Sequence, residues 1–123
     1  MDIKTAKSFR DLEVWQKCHQ LVVDIYELTG TFPDFEKFGL SSQMRRTAVS
    51  IAANIAEGFA KRGKRDKINY YNISQGALEE LKYYLLLAGD LKYCGSTIEL
   101  LEKAEKIGMM LNALISSIMR RGT

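Results

Sequence analysis

Apolar residues in this chain recur at steps of three and four through four long segments. Nowhere do they alternate with polar residues as a half-buried strand requires. Pro33 is the only proline among 123 residues, so long helices are permitted almost everywhere. Leu12, Trp15, Cys18, Val22, Ile25 and Leu28 mark a first helix over about 11–28, which stops at Thr29-Gly30 before the turn-rich TFPDFEKFG. Met44, Ala48, Ile51, Ile55 and Phe59 mark a second over about 41–61, with Ser41 or Ser42 as its cap. Tyr70, Ile73, Ala77, Leu81, Tyr84, Leu85, Ala88 and Leu91 mark a third over about 66–93, capped by Asp66. Leu100, Ala104, Ile107, Leu111, Leu114 and Ile118 mark a fourth over about 96–121, where Ser96 and Glu99 have the spacing of a capping box. The expected fold is a single all-α domain over 1–123, an up-down-up-down antiparallel four-helix bundle, because short links then join adjacent helix ends. Gly76, Gly89 and Gly108 fall inside these helices. Each costs about 1 kcal/mol against alanine, through either drift or a need for close helix approach.

A hydrophobic content of 46% and a charged content of 27% suit one soluble domain, and a chain of this size buries roughly two thirds of its unfolded surface without a staple. No stretch approaches the ~20 apolar residues of a membrane span, and MDIKTAKSFRD lacks the apolar run of a signal peptide. The expectation is a cytoplasmic protein. The bundle puts Cys18 and Cys94 on the order of 15 Å apart, beyond the ~7 Å that a disulfide spans, so both are expected to be reduced. Two cysteines and the single His19 fall short of a zinc site, and a di-iron site would need Glu-x-x-His motifs on facing helices. No metal or cofactor is expected.

The second helix carries a second stripe, formed by Gln43, Arg46, Ser50, Asn54 and Glu57. Polar groups of this kind are costly to bury alone, so Arg46, Ser50, Asn54 and Glu57 are expected to make interhelical hydrogen bonds or a subunit interface. Directly after Gly58 come Lys61, Arg62, Lys64, Arg65 and Lys67. In an antiparallel bundle this turn meets both chain ends. Residues 1–13, 57–67 and 116–123, with Arg120 and Arg121, then hold ten cations against five carboxylates, a net of +5. The other end, 24–40 with 88–104, has three lysines against seven carboxylates, a net of −4. A basic end under a modest overall charge of +3 is the footprint of phosphate-backbone binding, although a lysine-rich turn can equally be a solvated loop. Tyr71 beside that turn is a candidate for stacking on unpaired bases, whereas Tyr70 lies on the apolar stripe and is assigned to the core. No helix-turn-helix, RNA-recognition or KH signature is present.

Catalysis finds little support. His19 is followed by Val22 and Val23 rather than carboxylates. Glu79 and Glu80 diverge by about 100° on one helix, and no base accompanies the serines. No small-molecule substrate is indicated.

The segments FRDLEVWQK (9–17), FPDFEKFGLSSQMRRTAVSIAANIAEG (32–58) and GALEELKYYLLLAGDLKY (76–93) together resemble the four-helix-bundle proteins encoded by intervening sequences in bacterial 23S rRNA genes, sometimes labelled ribosomal. The resemblance spans nearly the whole chain. It implies a small helical bundle that assembles into a homopentameric ring, has no catalytic activity and binds nucleic acid. Relatives include the accessory variability protein of diversity-generating retroelements, which partners a reverse transcriptase. Two readings therefore stand. One is an oligomer that binds RNA or DNA through its basic end. The other is a protein-interaction scaffold for a partner such as a reverse transcriptase, without direct nucleic-acid binding.

Overall fold

The structure, a computed structural model, describes residues 5–121. A short 3-10 turn, Phe9–Asp11, leads into α1 (Glu13–Thr29). A second 3-10 turn, Asp34–Glu36, precedes α2 (Leu40–Ala60), and α3 (Lys64–Asp90) and α4 (Ile98–Arg120) follow. Among the described residues there is no strand. Every boundary falls within three residues of the expected one, and the all-α four-helix fold anticipated from the apolar stripes is the one found.

Cross-helix bonds fix the directions. Ser74 Oγ donates to Ile51 O at 2.8 Å and Lys67 Nζ to Phe59 O at 2.7 Å, so α3 runs back along α2. Lys64 reaches Arg121 O at 3.0 Å, Gln75 Nε2 donates to Asn112 Oδ1 at 2.7 Å, and Lys82 meets Glu105 at 2.6 Å, so α4 runs back along α3. α1 packs on α2 and α4, and its backbone lies farther from that of α3. The shared core is built from Cys18, Leu21 and Ile25, Met44, Ile51 and Ile55, Leu78, Leu81 and Leu85, and Ile107 and Leu111. Burial of each large aliphatic side chain there is worth roughly 1.5–3 kcal/mol. Both cysteines are free, and burial pushes the Cys18 thiol up to about 12.

The first half of α3 departs from the expected stripe by one position. Tyr71, Ser74 and Leu78 are buried, while Tyr70 is half-exposed and Ile73 is 51% exposed. Ser74 is polar yet sits at the core, where its hydroxyl satisfies the Ile51 carbonyl, so hydropathy alone places the stripe on the wrong flank. Gly58 matters here. A Cβ at that position would lie 2.6 Å from Tyr71 Cε1, so only glycine lets α2 accept the ring. Of the helix-interior glycines, Gly76 faces open space, whereas a Cβ at Gly108 would meet Leu78 Cδ2 at 3.4 Å.

The expected caps move as well. α2 begins after Gly39 rather than at a serine, and its first amide, Leu40 N–H, donates to Glu36 Oε1 at 3.0 Å. Gly63 precedes α3, which puts Asp66 inside the first turn. Thr97 occupies the cap position of α4, while Ser96 Oγ still accepts from Ile98 N–H at 3.3 Å. A capping box does occur, at Ser8 and Asp11, ahead of the first 3-10 turn.

Candidate nucleic-acid interface

The α2–α3 turn and the end of α4 lie side by side, because Lys64 Nζ donates to both Met119 O and Arg121 O at 3.0 Å. Lys61, Arg62, Lys64, Arg65, Lys67, Arg120 and Arg121 therefore share one pole. Lys4, which belongs to the same expected end, lies outside the described residues. The cations divide into two groups. Lys64 closes the C-terminus of α4, and Lys67 closes that of α2 through Phe59 O at 2.7 Å and Gly58 O at 3.3 Å. Both place positive charge where helix carbonyls leave a partial negative charge. Partial burial, and secondarily the charge of Arg121, hold the Lys67 ammonium below the usual lysine range.

Arg62, Arg65 and Arg120 are exposed and, among the described residues, carry no hydrogen bond or ion pair. Lys61 Nζ sits 5.1 Å from the Tyr70 ring centroid. Of these seven cations, three open guanidinium forks and one half-buried ammonium are thus left to meet an anion. Arg121 is half-buried and engaged in contacts of its own.

Tyr71 is not a stacking surface. It is 0% exposed, packed against Gly58, and its hydroxyl has no hydrogen-bond partner. Burial pushes that hydroxyl up to about 12. The ring beside the turn that is open is Tyr70, which hydropathy assigned to the core.

The polar seam on α2 faces outward. Arg46 Nη2 donates to Ser42 Oγ at 3.0 Å, and Asn54 Nδ2 donates to Ser50 O at 2.8 Å and Ser50 Oγ at 3.1 Å. All of these bonds stay within α2, so among the described residues the seam makes no interhelical hydrogen bond, and the subunit-interface alternative is left. Glu57 is exposed. The seam borders Val49 and Ala53, which are exposed too, and so forms a mixed surface strip of small and polar side chains.

The opposite pole is tied together by Glu36, which accepts from Leu40 N–H and, through Oε2, from Tyr93 O–H at 2.7 Å. Those two bonds, the backbone one foremost, hold its carboxyl below the usual range. A groove of about 700 Å³ between α1 and α4 is lined by Asp11, Glu13, Lys17, Lys103 and Lys106. Its three lysines face two carboxylates, so it focuses little charge. Among the described residues no group of three or more His, Cys, Asp or Glu side chains is placed to hold a metal, and no helix is long and apolar enough to cross a membrane. His19 lies parallel on Trp15, with ring centroids 5.0 Å apart.

A family model described as the 23S rRNA-intervening sequence protein matches residues 10–113. The chain belongs to that family. The match spans all of α1, α2 and α3 and most of α4, so most of the bundle and its α2–α3 basic turn lie within the region shared by 23S rRNA-intervening sequence proteins, while Arg120 and Arg121 lie beyond it. Among solved structures, the chain is similar to a Bacteroides thetaiotaomicron protein of unknown function from the S23 ribosomal protein family. The two share 27% identity at a TM-score of 0.77, over 84% of this chain and 95% of that one. No curated protein matches.

Proposed function

We propose that this 23S rRNA-intervening sequence protein is a non-catalytic, cytoplasmic homo-oligomer that binds the phosphate backbone of structured nucleic acid through its basic pole. The observation that carries this reading is the division of labour among the cations. Lys64 and Lys67 neutralise helix ends, whereas Arg62, Arg65 and Arg120 stand unpaired beside Lys61. Unpaired arginines gathered at one end of a bundle raise its positive potential, and their planar forks suit phosphate oxygens. With about four phosphates engaged, affinity would fall roughly a hundredfold between about 50 and about 200 mM salt.

Assembly through the outward α2 strip is part of the same proposal, because a ring would multiply one modest patch. The residues proposed for that contact are Arg46, Ser50, Asn54 and Glu57, and the proposed ring is a pentamer. Native mass spectrometry of protein purified from its own host tests both parts, since it reports subunit number and retained RNA or DNA together. A pentamer carrying nucleic acid is expected, and loss of that nucleic acid in an Arg62→Gln, Arg65→Gln, Arg120→Gln variant locates the contact.

The second reading, a scaffold for a partner protein such as a reverse transcriptase, is favoured by the apolar side chains exposed along α3 and α4. Ile73, Tyr83, Leu86 and Met109 are all more than half exposed. An oligomer free of nucleic acid that binds no duplex at low salt would select it.

A further inference from the structure

Phe38 is 89% exposed, the most open large apolar side chain among those described. It does not sit on a loose loop. Gly39 N–H donates to Glu36 O at 2.9 Å, Glu36 N–H to Pro33 O at 2.9 Å and Lys37 N–H to Asp34 O at 3.0 Å, and the Glu36 carboxylate clamps the first amide of α2. A Cβ at Gly39 would lie 2.5 Å from Glu36 Oε1 and would push that carboxylate off the Leu40 amide, and Phe38 stands outward beside it.

Phe38 borders a cleft of about 470 Å³ shared with Tyr26 and Val49 and rimmed by Lys37, Arg45 and Arg46. Among the described residues its lining includes three cations and no carboxylate, although this pole of the bundle is acidic overall. Two of the cations are fixed in place. Arg45 donates to Thr29 Oγ1 at 2.7 Å and to Tyr26 O at 3.1 Å, with its guanidinium 4.7 Å from the Tyr26 ring centroid, and Arg46 is held by Ser42. Lys37 Nζ lies 5.6 Å from the Phe38 ring centroid. An open ring beside fixed positive charge is the combination that single-stranded nucleic acid uses, with a base stacked on the aromatic face and its phosphate on the cations. An acidic amphipathic helix would need a longer apolar groove, with anchors repeating every three or four residues.

We propose that this cleft binds one unpaired nucleotide of a single-stranded nucleic acid, its base stacked on Phe38 and its phosphate held by Lys37 and Arg46. The proposal shares the phosphate chemistry of the reading above but no residue with its basic pole, and of the proposed subunit contact it uses only Arg46, so the two nucleic-acid sites fail separately.

Fluorescence anisotropy of the full chain with a labelled uridine oligonucleotide, and in parallel with a labelled RNA duplex, tests it. Phe38→Ala is expected to weaken the oligonucleotide roughly tenfold while leaving the duplex unchanged, and Lys37→Gln to weaken the oligonucleotide as well. The Arg62, Arg65, Arg120 triple glutamine variant is expected to lose the duplex instead. Phe38 is exposed, so circular dichroism and light scattering of Phe38→Ala should match the parent. The proposal is overturned by a parent protein that binds no oligonucleotide, or by unchanged oligonucleotide affinity in Phe38→Ala. It is overturned equally by a drop in oligomer mass in that variant, which would give the cleft to a second copy, or by a glutamate–tyrosine copolymer binding in place of the oligonucleotide.

Discussion

Lys67 closes the C-terminus of α2 from the neighbouring helix, its ammonium 2.7 Å from the carbonyl oxygen of Phe59. The same device recurs twice. Lys64 closes α4, and Arg45, through Tyr26 O, closes α1. Three helix ends thus receive a cation sent across from another helix in addition to the backbone N–H that closes each one locally. A dense basic turn is therefore partly architecture, and charge counting overstates what remains for a ligand.

Removal of one such closure should be felt. Lys67→Met leaves two carbonyls without their charged donor and should lower stability by about 1–2 kcal/mol, whereas Arg65→Gln, which breaks no bond among the described residues, should stay within about 0.5 kcal/mol. Urea denaturation of the two variants checks the contrast.

Tyr71→Phe should be neutral or mildly stabilising, because the buried hydroxyl it removes has no partner. In the unfolded chain a tyrosine ionises near pH 10, while in the fold Tyr71 is pushed up to about 12. Its contribution is therefore complete below about pH 10 and lost as pH rises toward 12. Thermal melts across that window should fall less steeply in Tyr71→Phe than in the parent.

Lys92 adopts φ 63, the left-handed region, in the turn that ends α3, where Tyr93 N–H donates to Ala88 O at 3.1 Å and Lys92 N–H to Gly89 O at 3.0 Å. This is the position where glycine is favoured. Lys92→Gly should stabilise by about 1 kcal/mol and raise the melting temperature by roughly 3–5 °C, as read by calorimetry.

Glu36 gives an acid-side counterpart. Its lowered carboxyl contributes stability above the unfolded glutamate value, and that stability is lost as pH falls through the folded one. Tyr93→Phe removes one of its two donors, so melting temperatures measured between neutral pH and about pH 3 should show a smaller acid-dependent loss in that variant.

Much of the bundle was legible because its core is repetitive. The stripes Met44–Ala48–Ile51–Ile55 and Ala104–Ile107–Leu111–Ile118 are buried as written in their spacing. Hydropathy exchanges Tyr70 and Tyr71 because a buried serine interrupts the α3 stripe, and a serine satisfied by a carbonyl one helix away leaves no local signal. The basic pole was visible as composition, but which cations are spent on helix ends depends on contacts across 8 to 57 residues of sequence. Phe38 and Arg45 went unread because neither belongs to a stripe. Only the glycine after Phe38 hinted that the ring stands on a constrained turn.

The central claim is that unpaired arginines at one pole hold phosphate, and the salt dependence of duplex RNA binding tests it most directly. For the parent, the log–log slope of affinity against salt is expected near −3 to −4 per protomer engaged. It should shrink to about −1 in the Arg62→Gln, Arg65→Gln, Arg120→Gln variant, with an unchanged melting temperature. An identical slope in parent and variant would contradict the account.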